Sequence, residues 1–240
     1  MVDTHNHILF DVDDGCKNIE ESIVLLEKMG KLGFNKIILT PHYIKETEYV
    51  SNNLEKEDKL IQLKNKLKEN NINIELYLGN EIFITKDIVG LLKNDNISSI
   101  NKSKYILIEL PFENEIIGLS DILYELRYNK LMPIIAHPER YTYFQKNPNK
   151  IEELRQEGIL FQVNFSSILG YYGRRAKKTI KYLLKNNYVD FFGTDIHRAS
   201  NTYVLDNFKK IEKKIIRIIG IEEYQKIKKN SEKIINNKEI

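Results

Sequence analysis

Short apolar segments with strand-forming residues recur along the 240-residue chain, and stretches with helical periodicity separate them. The apolar segments predict seven strands, near Val2–Ile8, Lys36–Thr40, Ile74–Leu78, Tyr105–Glu109, Met132–His137, Leu160–Asn164 and Val189–Thr194. Strands that alternate with helices indicate a parallel sheet. In a chain of this length, seven such units most simply predict an α/β fold of the (β/α) barrel type.

The first predicted helix shows both of its ends in the sequence. Asn18 is a predicted N-cap, and Glu21 three residues later completes a capping-box pattern. Gly33 is expected to close the helix. Between these ends lies one apolar face, formed by Ile19, Ile23, Leu26 and Met29.

Three further segments are predicted to be helical, namely Leu54–Glu69, Tyr172–Asn187 and Asn207–Ile240. The last one carries an apolar face, formed by Ile211, Ile215, Ile218 and Ile219. Its lysines are compatible with a helix at a membrane surface, but a helix packed on the barrel with a solvated outer face is the better interpretation. No internal repeat or low-complexity linker divides the chain, so residues 1–240 are predicted to form a single domain.

Composition and charge exclude several classes of protein. The 37 basic and 34 acidic residues give a net charge of only +3, and no basic arm or stripe stands out along the chain, so a nucleic-acid partner receives little support. Cys16 is the only cysteine, which excludes an intramolecular disulfide and a cysteine-based zinc cluster. No secretion signal and no apolar run near the ~20 residues of a membrane span are present. We expect a cytoplasmic protein without direct membrane insertion, although a partner can still attach it to a membrane.

The histidines share one position relative to the predicted strands. Each lies at or just past the carboxyl end of a strand, and none lies in a predicted helix; they are His5, His7, His42, His137 and His197. In a (β/α) barrel these strand ends form one rim, where the active sites of such proteins lie. The five imidazoles are therefore expected to meet.

Carboxylates occupy equivalent places. Glu81 ends "YLGNE", Glu109 ends "YILIE" and Asp195 lies in "GTDIH". Both "THNH" and "TDIH" place candidate ligands at positions i and i+2, on one face of a strand. The neighbours of Glu109 are apolar, a setting in which an unpaired carboxylate is costly unless a cation is present.

Each of these residues also has an ordinary interpretation. His42 alone would be a hydrogen-bonded turn residue, Glu109 alone half of a buried ion pair, and Asp14 alone part of a solvated turn. Five histidines and four acids at seven strand ends instead favour a metal site, and nine donors exceed the coordination shell of one ion. Nitrogen and oxygen donors without thiolate suit Mn, Fe or Zn, with Mg less natural. A site with several such ions is typical of hydrolysis by a metal-generated hydroxide.

Arg140 is the next candidate. The motif "HPER" places this guanidinium three residues after His137, on the loop that leaves the same rim. Arginine binds phosphate through two parallel hydrogen bonds, whereas a loop arginine elsewhere is usually an idle surface residue. Next to a metal-binding rim, the phosphate-binding role is favoured.

The motifs "DTHNH", "DVDDG", "TPHY", "GNEI", "AHPERY" and "TDIH" resemble those of the PHP (polymerase and histidinol phosphatase) superfamily. Within it they are similar to the CpsB/YwqE type, the bacterial manganese-dependent protein-tyrosine phosphatases of capsule and exopolysaccharide loci. The similarity extends from Val2 to about Arg198. It implies a distorted (β/α)7 barrel with three metal ions, expected to be Mn²⁺, at the carboxyl-end rim.

The resemblance also implies a ligand set. His5, His7, Glu81 and Asp195 would hold the first ion; Glu81 would bridge to a second ion held also by Glu109 and His137; Asp14, His42 and His197 would hold the third. Asp13 is the less favoured ligand of the adjacent aspartates. Arg140, Asp195 and His197 are the predicted catalytic residues.

By the same resemblance, the substrate would be phosphotyrosine in the Tyr-rich tail of a membrane-linked bacterial tyrosine kinase that controls polysaccharide export. A metal-bound hydroxide would attack phosphorus in line, without a covalent phosphoenzyme. The C-x5-R signature of thiol phosphatases is absent, and Cys16 is interpreted as a small buried residue.

The chain departs from the family at one position. Members often carry a second phosphate-binding arginine a few residues past "DxH", where this chain has Thr202. Arg198 is the first candidate to replace it, followed by Arg174 and Arg175. Four tyrosines are candidates to line the approach to the rim or simply to pack there, namely Tyr141, Tyr143, Tyr171 and Tyr172.

Three other functions remain open at this stage. A small-molecule phosphatase of the same superfamily, such as a histidinol-phosphatase, is the nearest alternative, although "DVDDG" and "HPERY" disfavour it. A metal-dependent nuclease would use similar ligands but is disfavoured by the weak basic balance. A non-catalytic, metal-bound module that binds the kinase tail is disfavoured by the intact ligand set.

Overall fold

The computed structural model describes residues 1–240. All its strands pair in parallel, in the orders β1-β2-β4 and β3-β5-β6-β7-β8-β9. The strands are β1 (Val2–Asp3), β2 (Lys36–Leu39), β3 (His42–Tyr43), β4 (Glu75–Leu78), β5 (Glu81–Phe83), β6 (Tyr105–Glu109), β7 (Met132–Ala136), β8 (Leu160–Asn164) and β9 (Phe191–Gly193).

The nine segments lie on seven strands, because two strands are broken. Two residues separate β2 from β3 and β4 from β5, and the pairing stays in step across both breaks, with Leu39 opposite Leu78 and His42 opposite Glu81. The first break contains Pro41, which cannot donate to a ladder. The predicted number of strands is therefore confirmed, whereas the two breaks were not predicted.

The sheet curls until its first and last strands meet. The backbone N–H of Asp195 donates to the carbonyl of His5 (2.8 Å), and the N–H of His7 donates to the carbonyl of Ile196 (2.9 Å). Below them, the hydroxyl of Thr4 donates to the carbonyl of Phe192 (2.9 Å). These bonds form a seam between β1 and β9, and the predicted distorted barrel is confirmed.

Helices cover the outside of the curled sheet. They are α1 (Ile19–Lys31), α2 (Asn53–Glu69), α3 (Ile88–Lys93), α4 (Leu119–Tyr128), α5 (Thr142–Lys146), α6 (Asn149–Gln156), α7 (Gly173–Lys185), α8 (Tyr203–Asp206) and α9 (Phe208–Ile235). No helix is both long and apolar enough to cross a bilayer.

The ends of the predicted helices are largely correct. The side chain of Asn18 accepts a hydrogen bond from Glu21 N, which confirms the N-cap of α1, but the Glu21 carboxylate accepts from Lys17 N, one residue before the cap. The predicted terminal helix is interrupted at Gly220, whose φ of 81° lies in the left-handed region that glycine adopts without a steric cost.

The closed end of the barrel lies opposite the rim. Inward-facing apolar residues of the strands pack against the last turn of α9, where Ile234 and Ile235 are buried. The side chain of Asn101, just before β6, donates to the carbonyl of Ile235 (2.9 Å). The amino ends of the strands are therefore plugged, and only the carboxyl ends leave an open cavity.

Candidate metal centre

His5 and His7 follow directly after β1, and both are fully buried. Their Nε2 atoms lie 3.2 Å apart. The strand ends at Asp3, earlier than predicted, yet the two imidazoles still share a face. The spacing in "THNH" therefore does bring the two rings together, although not on a strand, and their role as metal ligands stays a prediction.

Glu81 occupies the middle of the histidines. It is the first residue of β5, immediately after the break, and its Oε2 atom lies 3.1 Å from His5 Nε2, 3.2 Å from His7 Nε2 and 3.1 Å from His42 Nδ1. Its other oxygen lies 2.8 Å from His137 Nε2. Although burial raises the pKa of this carboxyl, its interactions with the imidazoles of His5 and His42 hold the pKa well below its usual value. A single carboxylate thus contacts four imidazoles.

Glu109 lies on the other side of His42 and His137. Its two oxygens are each 3.8 Å from a ring nitrogen, Oε1 from His137 Nε2 and Oε2 from His42 Nδ1. Burial and the neighbouring charge of Glu81 raise the pKa of Glu109 to about 9. Two buried carboxylates this close repel each other, and a cation between them would relieve the repulsion.

Asp14 forms a third group with His42 and His197. Its Oδ1 atom lies 3.9 Å from His42 Nε2 and 3.6 Å from His197 Nε2. The ring of His7 stacks on that of His197, with centroids 3.9 Å apart. His7 therefore borders two of the groups, whereas the resemblance assigns it to the first ion alone.

The donor atoms are suited to divalent cations. Three sets have their ligand atoms within 4.8 Å of one another: His5–His7–Glu81, His42–Glu81–Glu109 and His7–Asp14–His42–His197. Within them, His42 Nδ1 and Asp14 Oδ1 are buried without any hydrogen-bond partner. Buried polar atoms are normally paired, so these atoms are arranged for a ligand that the protein itself does not supply. Imidazole and carboxylate donors without thiolate fit Mn²⁺, Fe²⁺ or Zn²⁺.

Hydrogen-bond acceptors hold three of the imidazoles in one tautomer. His7 Nδ1 lies 2.7 Å from the carboxylate of Asp13, and His197 Nδ1 lies 3.0 Å from the carbonyl of Asp195. Both partners only accept, so Nδ1 carries the proton and the Nε2 lone pair faces the candidate metal positions. Gln162 Oε1 plays the same part for His5 Nδ1, at 2.8 Å. Such outer partners orient metal ligands.

The residues that the sequence analysis missed lie mostly on β8. The buried side chains of Gln162 and Asn164 point to the site, and Asn164 Nδ2 donates to Asp195 Oδ2 (2.6 Å). A signal was present, because two amides alternate in the otherwise apolar strand "LFQVN". The carboxylate of Asp13 also accepts a hydrogen bond from the backbone N–H of His42 (2.8 Å), which joins "DVDDG" to the start of β3.

Arg140 reaches across the rim to Asp195. Its Nη1 atom donates to Asp195 Oδ2 (2.9 Å), and its guanidinium lies between the rings of Phe112 (4.6 Å) and Tyr172 (4.4 Å). Burial raises the pKa of Asp195, but its interactions with the His5 imidazole and the Arg140 guanidinium outweigh burial and hold the pKa low. The stacked arginine is rigid and keeps further N–H donors for an anion.

A cavity of 420 Å³ opens above these groups. Ligand candidates form its floor, and its walls are largely aromatic, formed by Phe112, Tyr171, Tyr172 and Tyr203. Tyr141 and Tyr143 are buried instead, and the hydroxyl oxygen of Tyr141 accepts a hydrogen bond from the backbone N–H of Leu110 (2.9 Å). Two of the four tyrosines considered from the sequence therefore line the site and two pack beneath it.

Among the arginines considered for the second phosphate contact, only Arg198 lines the cavity. Its Nε donates to the carbonyl of Asp14 (2.9 Å). Arg174 and Arg175 are exposed and lie outside the cavity walls. Thr202 faces away from the site, where its hydroxyl contacts Lys28 Nζ (2.9 Å).

Cys16 is not placed for nucleophilic chemistry. The residue is buried, its thiol lies 3.5 Å from the carbonyl of His197, and burial raises the pKa of the thiol to about 12. Reactive cysteines have a lowered pKa, so the interpretation of Cys16 as a small buried residue agrees with its surroundings.

Comparison with known proteins decides the family. The family model for capsular polysaccharide synthesis, CpsB/CapC, matches residues 1–236. The chain belongs to the CpsB/CapC family. Among its relatives, CapC of Staphylococcus aureus is 39% identical over 202 residues, covering 84% of this chain and 78% of CapC. The tyrosine-protein phosphatase CpsB of Streptococcus pneumoniae is 32% identical over 215 residues, covering 84% of each chain.

The fold of this CpsB/CapC chain is shared with a solved relative. A crystal structure reported for YwqE from Bacillus subtilis and CpsB from Streptococcus pneumoniae, metal-dependent tyrosine phosphatases, superposes with a TM-score of 0.89 at 28% identity, covering 100% of this chain and 96% of the other. A 2-pyrone-4,6-dicarboxylic acid hydrolase from Acinetobacter baumannii shares only the fold, at 10% identity and a TM-score of 0.50. The predicted membership of the CpsB/YwqE type is confirmed.

Proposed function

We propose that this chain is a metal-dependent phosphotyrosine-protein phosphatase. The observation that carries the proposal is one cavity in which clustered imidazole and carboxylate donors lie beside a rigid, stacked arginine. Its relatives YwqE and CpsB are tyrosine-protein phosphatases, and the YwqE/CpsB structure is described as metal-dependent. The aromatic walls suit the ring of a tyrosyl phosphate.

We further propose three ions, with Mn²⁺ as the physiological metal. The nine ligands are those named from the sequence, namely His5, His7, Asp14, His42, Glu81, Glu109, His137, Asp195 and His197. The three donor sets support this number, and each set combines imidazole with carboxylate. Such ions supply the Lewis acidity that activates water and offset the charge of the phosphate.

The residues of the chain then divide the remaining work. Arg140 binds the phosphate through the donors that Asp195 leaves free, and its stacking between Phe112 and Tyr172 fixes the plane of the guanidinium. Arg198, on the same wall, provides the second contact. Asp195 stays ionised beside Arg140, and His197 presents its unprotonated Nε2. No residue of the chain takes up the phosphoryl group.

The substrate that this activity serves is proposed to be the phosphorylated tail of a bacterial tyrosine kinase in a capsule or exopolysaccharide locus. The family assignment to capsular polysaccharide synthesis supports this context. In that case the kinase would also bring the phosphatase to the inner face of the membrane.

Purified protein loaded with Mn²⁺ tests the proposal. It is offered a phosphotyrosine peptide, histidinol phosphate and single-stranded DNA, and phosphate release or strand cleavage is measured. We expect kcat/KM for the peptide to exceed that for the other two by orders of magnitude, and activity to vanish after chelation and return with Mn²⁺. A preference for histidinol phosphate would make the protein a small-molecule phosphatase, and no turnover of any of them with metal bound would make it a binding module.

A further inference from the structure

Two neighbouring helices concentrate the positive charge of the protein. Helix α7 and the first half of α9 (residues 208–219) carry eleven basic side chains: Arg174, Arg175, Lys177, Lys178, Lys181, Lys185, Lys209, Lys210, Lys213, Lys214 and Arg217. The only acidic residue in these segments is Glu212. Since the whole chain has a net charge of only +3, the rest of it is negative. We call this set the basic strip.

The cations of the basic strip have no acidic partners. None has a carboxylate oxygen within 4.0 Å, in contrast to surface lysines elsewhere such as Lys28, which pairs with Asp206, and Lys150, which pairs with Glu115. The carboxylate of Glu212 is itself engaged by the hydroxyl of Tyr224 (2.9 Å).

The lysines of the two helices are forced close together. The helices pack side by side, and the pKa of Lys214 is lowered by burial and by the charges of Lys177 and Lys181. The charge of Lys210 also lowers the pKa of Lys214. Unbalanced repulsion of this kind is unfavourable for the isolated protein, and it indicates a surface arranged for an anion.

The basic strip starts at the mouth of the cavity. Helix α7 begins at Gly173, directly after Tyr171 and Tyr172 on the cavity wall, and α9 follows α8, whose Tyr203 is on the same wall. Helices of a (β/α) barrel run from the rim toward the closed end, so the strip extends from the mouth for about 20 Å along the outside of the barrel.

We infer that the basic strip binds an extended acidic segment of the protein substrate, next to the phosphotyrosine held in the cavity. This inference rests on the proposed function and adds a substrate class to it, namely phosphotyrosine followed or preceded by several carboxylates. Continuity with the cavity supports it, because a chain that leaves the site on the side of Tyr172 and Tyr203 would pass over the strip. Charge complementarity would mainly speed the association of substrate with enzyme and lower KM. Both effects would become weaker as the salt concentration rises.

An anionic membrane surface fits the basic strip less well. Helices that lie on membranes carry large apolar side chains beside their cations. The large exposed apolar residues of this protein lie outside α7 and outside residues 208–219, for example Val24, Leu54 and Ile117. The basic strip therefore lacks the large exposed apolar side chains that would insert into a membrane.

A pair of phosphopeptides tests the inference. One carries Asp and Glu on both sides of phosphotyrosine, and the other carries Asn and Gln in their place. For the wild-type enzyme with Mn²⁺ at low salt, we expect kcat/KM to be about tenfold higher for the acidic peptide than for the neutral one. The difference should lie in KM, and it should disappear at high salt. The variant K177Q/K181Q/K210Q/K214Q should reduce the difference to within about twofold, while free phosphotyrosine is hydrolysed as before.

The control variant K64Q/K66Q/K68Q/K93Q removes the same charge from a remote surface and should behave as wild type. Equal, non-zero kcat/KM for both peptides in the wild-type enzyme would overturn the inference, whereas failure to hydrolyse either phosphopeptide would overturn the proposed function instead. Sedimentation with phosphatidylglycerol vesicles provides a second arm. If the wild-type protein binds them, the four-lysine variant does not, and the two peptides are equivalent, the strip is a membrane surface and the inference is wrong.

Discussion

Gln162 Oε1 lies 2.8 Å from His5 Nδ1 and fixes the tautomer of a predicted metal ligand. The other end of the same amide donates to Asn164 Oδ1 (3.0 Å), and Asn164 donates to Asp195 (2.6 Å). One strand without any ligand thus orients two ligands that come from opposite ends of the chain.

Replacing Gln162 by Met should weaken metal binding. The substitution keeps the volume but leaves His5 Nδ1 without its acceptor and Asn164 Oδ1 without its donor. We expect a 10- to 100-fold loss of metal affinity with the fold retained, as for other partners of metal ligands. Competition with a chelator measures the affinity, and circular dichroism checks the fold. Gln156→Met on the exposed face of α6 is the matched control; equal affinities for the two variants would contradict the role of Gln162.

Arg140 and His42 should fail in different ways when each is replaced by Ala. Loss of His42 removes a donor from two of the candidate sets, so the metal content should fall. Loss of Arg140 leaves every ligand in place, and Asp195 still accepts from Asn164 and Tyr172. We expect normal metal content and kcat/KM lowered by about 10² or more. Elemental analysis measures the metal content of the two variants, and phosphate release measures their activity. Equal loss of metal in both variants would contradict the phosphate-binding role of Arg140.

Lys56 is a completely buried lysine whose only hydrogen-bond partner is Asn80 Oδ1. Burial lowers its pKa to about 7, well below the 10.5 of an exposed lysine. Between these values the unfolded chain binds a proton that the folded protein lacks, so this group adds stability as the pH rises from 7 to about 10.

Replacing Lys56 by Met should therefore raise the free energy of unfolding at pH 7, by about 2 kcal/mol, because the cost of burying the charge disappears. The advantage over wild type should shrink toward pH 10. Urea denaturation at several pH values measures it, and Lys68→Met on the exposed side of the same helix is the control. A difference that stays constant with pH would show that Lys56 is charged and paired in the folded protein.

Cys16 should be dispensable for catalysis. With a pKa of about 12 the buried thiol holds almost no thiolate near neutral pH. We expect Cys16→Ser to keep kcat within about twofold and the wild-type enzyme to resist iodoacetamide, since catalysis uses no thiol. Rapid inactivation by iodoacetamide that Cys16→Ser abolishes would indicate a thiol mechanism.

The sequence alone was sufficient to predict the barrel and the clustering of the five histidines at its rim. Both follow from the positions of apolar segments and from the rule that the carboxyl ends of parallel strands share one rim. The segments after the two breaks escaped prediction because the predicted strands end at Thr40 and Leu78, and the Pro41 and Gly79–Asn80 that follow indicate turns. The break before Glu81 nevertheless decides the site, since it turns this carboxylate toward four imidazoles.

Side-chain partners and surface charge were harder to predict. The bonds made by Gln162 and Asn164 depend on which residues face each other across the barrel, and a single strand does not contain that information. The basic strip also escaped, because its lysines lie in two segments that look ordinary by themselves and become one surface only when α7 and α9 pack together. That residues 1–240 form one domain, and that the nine ligands hold metal, stay predictions.

The seam between His5 and Asp195 has a consequence for how the protein is made. During synthesis the first proposed ligands leave the ribosome long before the last, so a growing chain has only an incomplete set of them until β9 has emerged. A chain that stops before β9 would therefore lack two of the nine proposed ligands, Asp195 and His197, and we expect it to have no phosphatase activity.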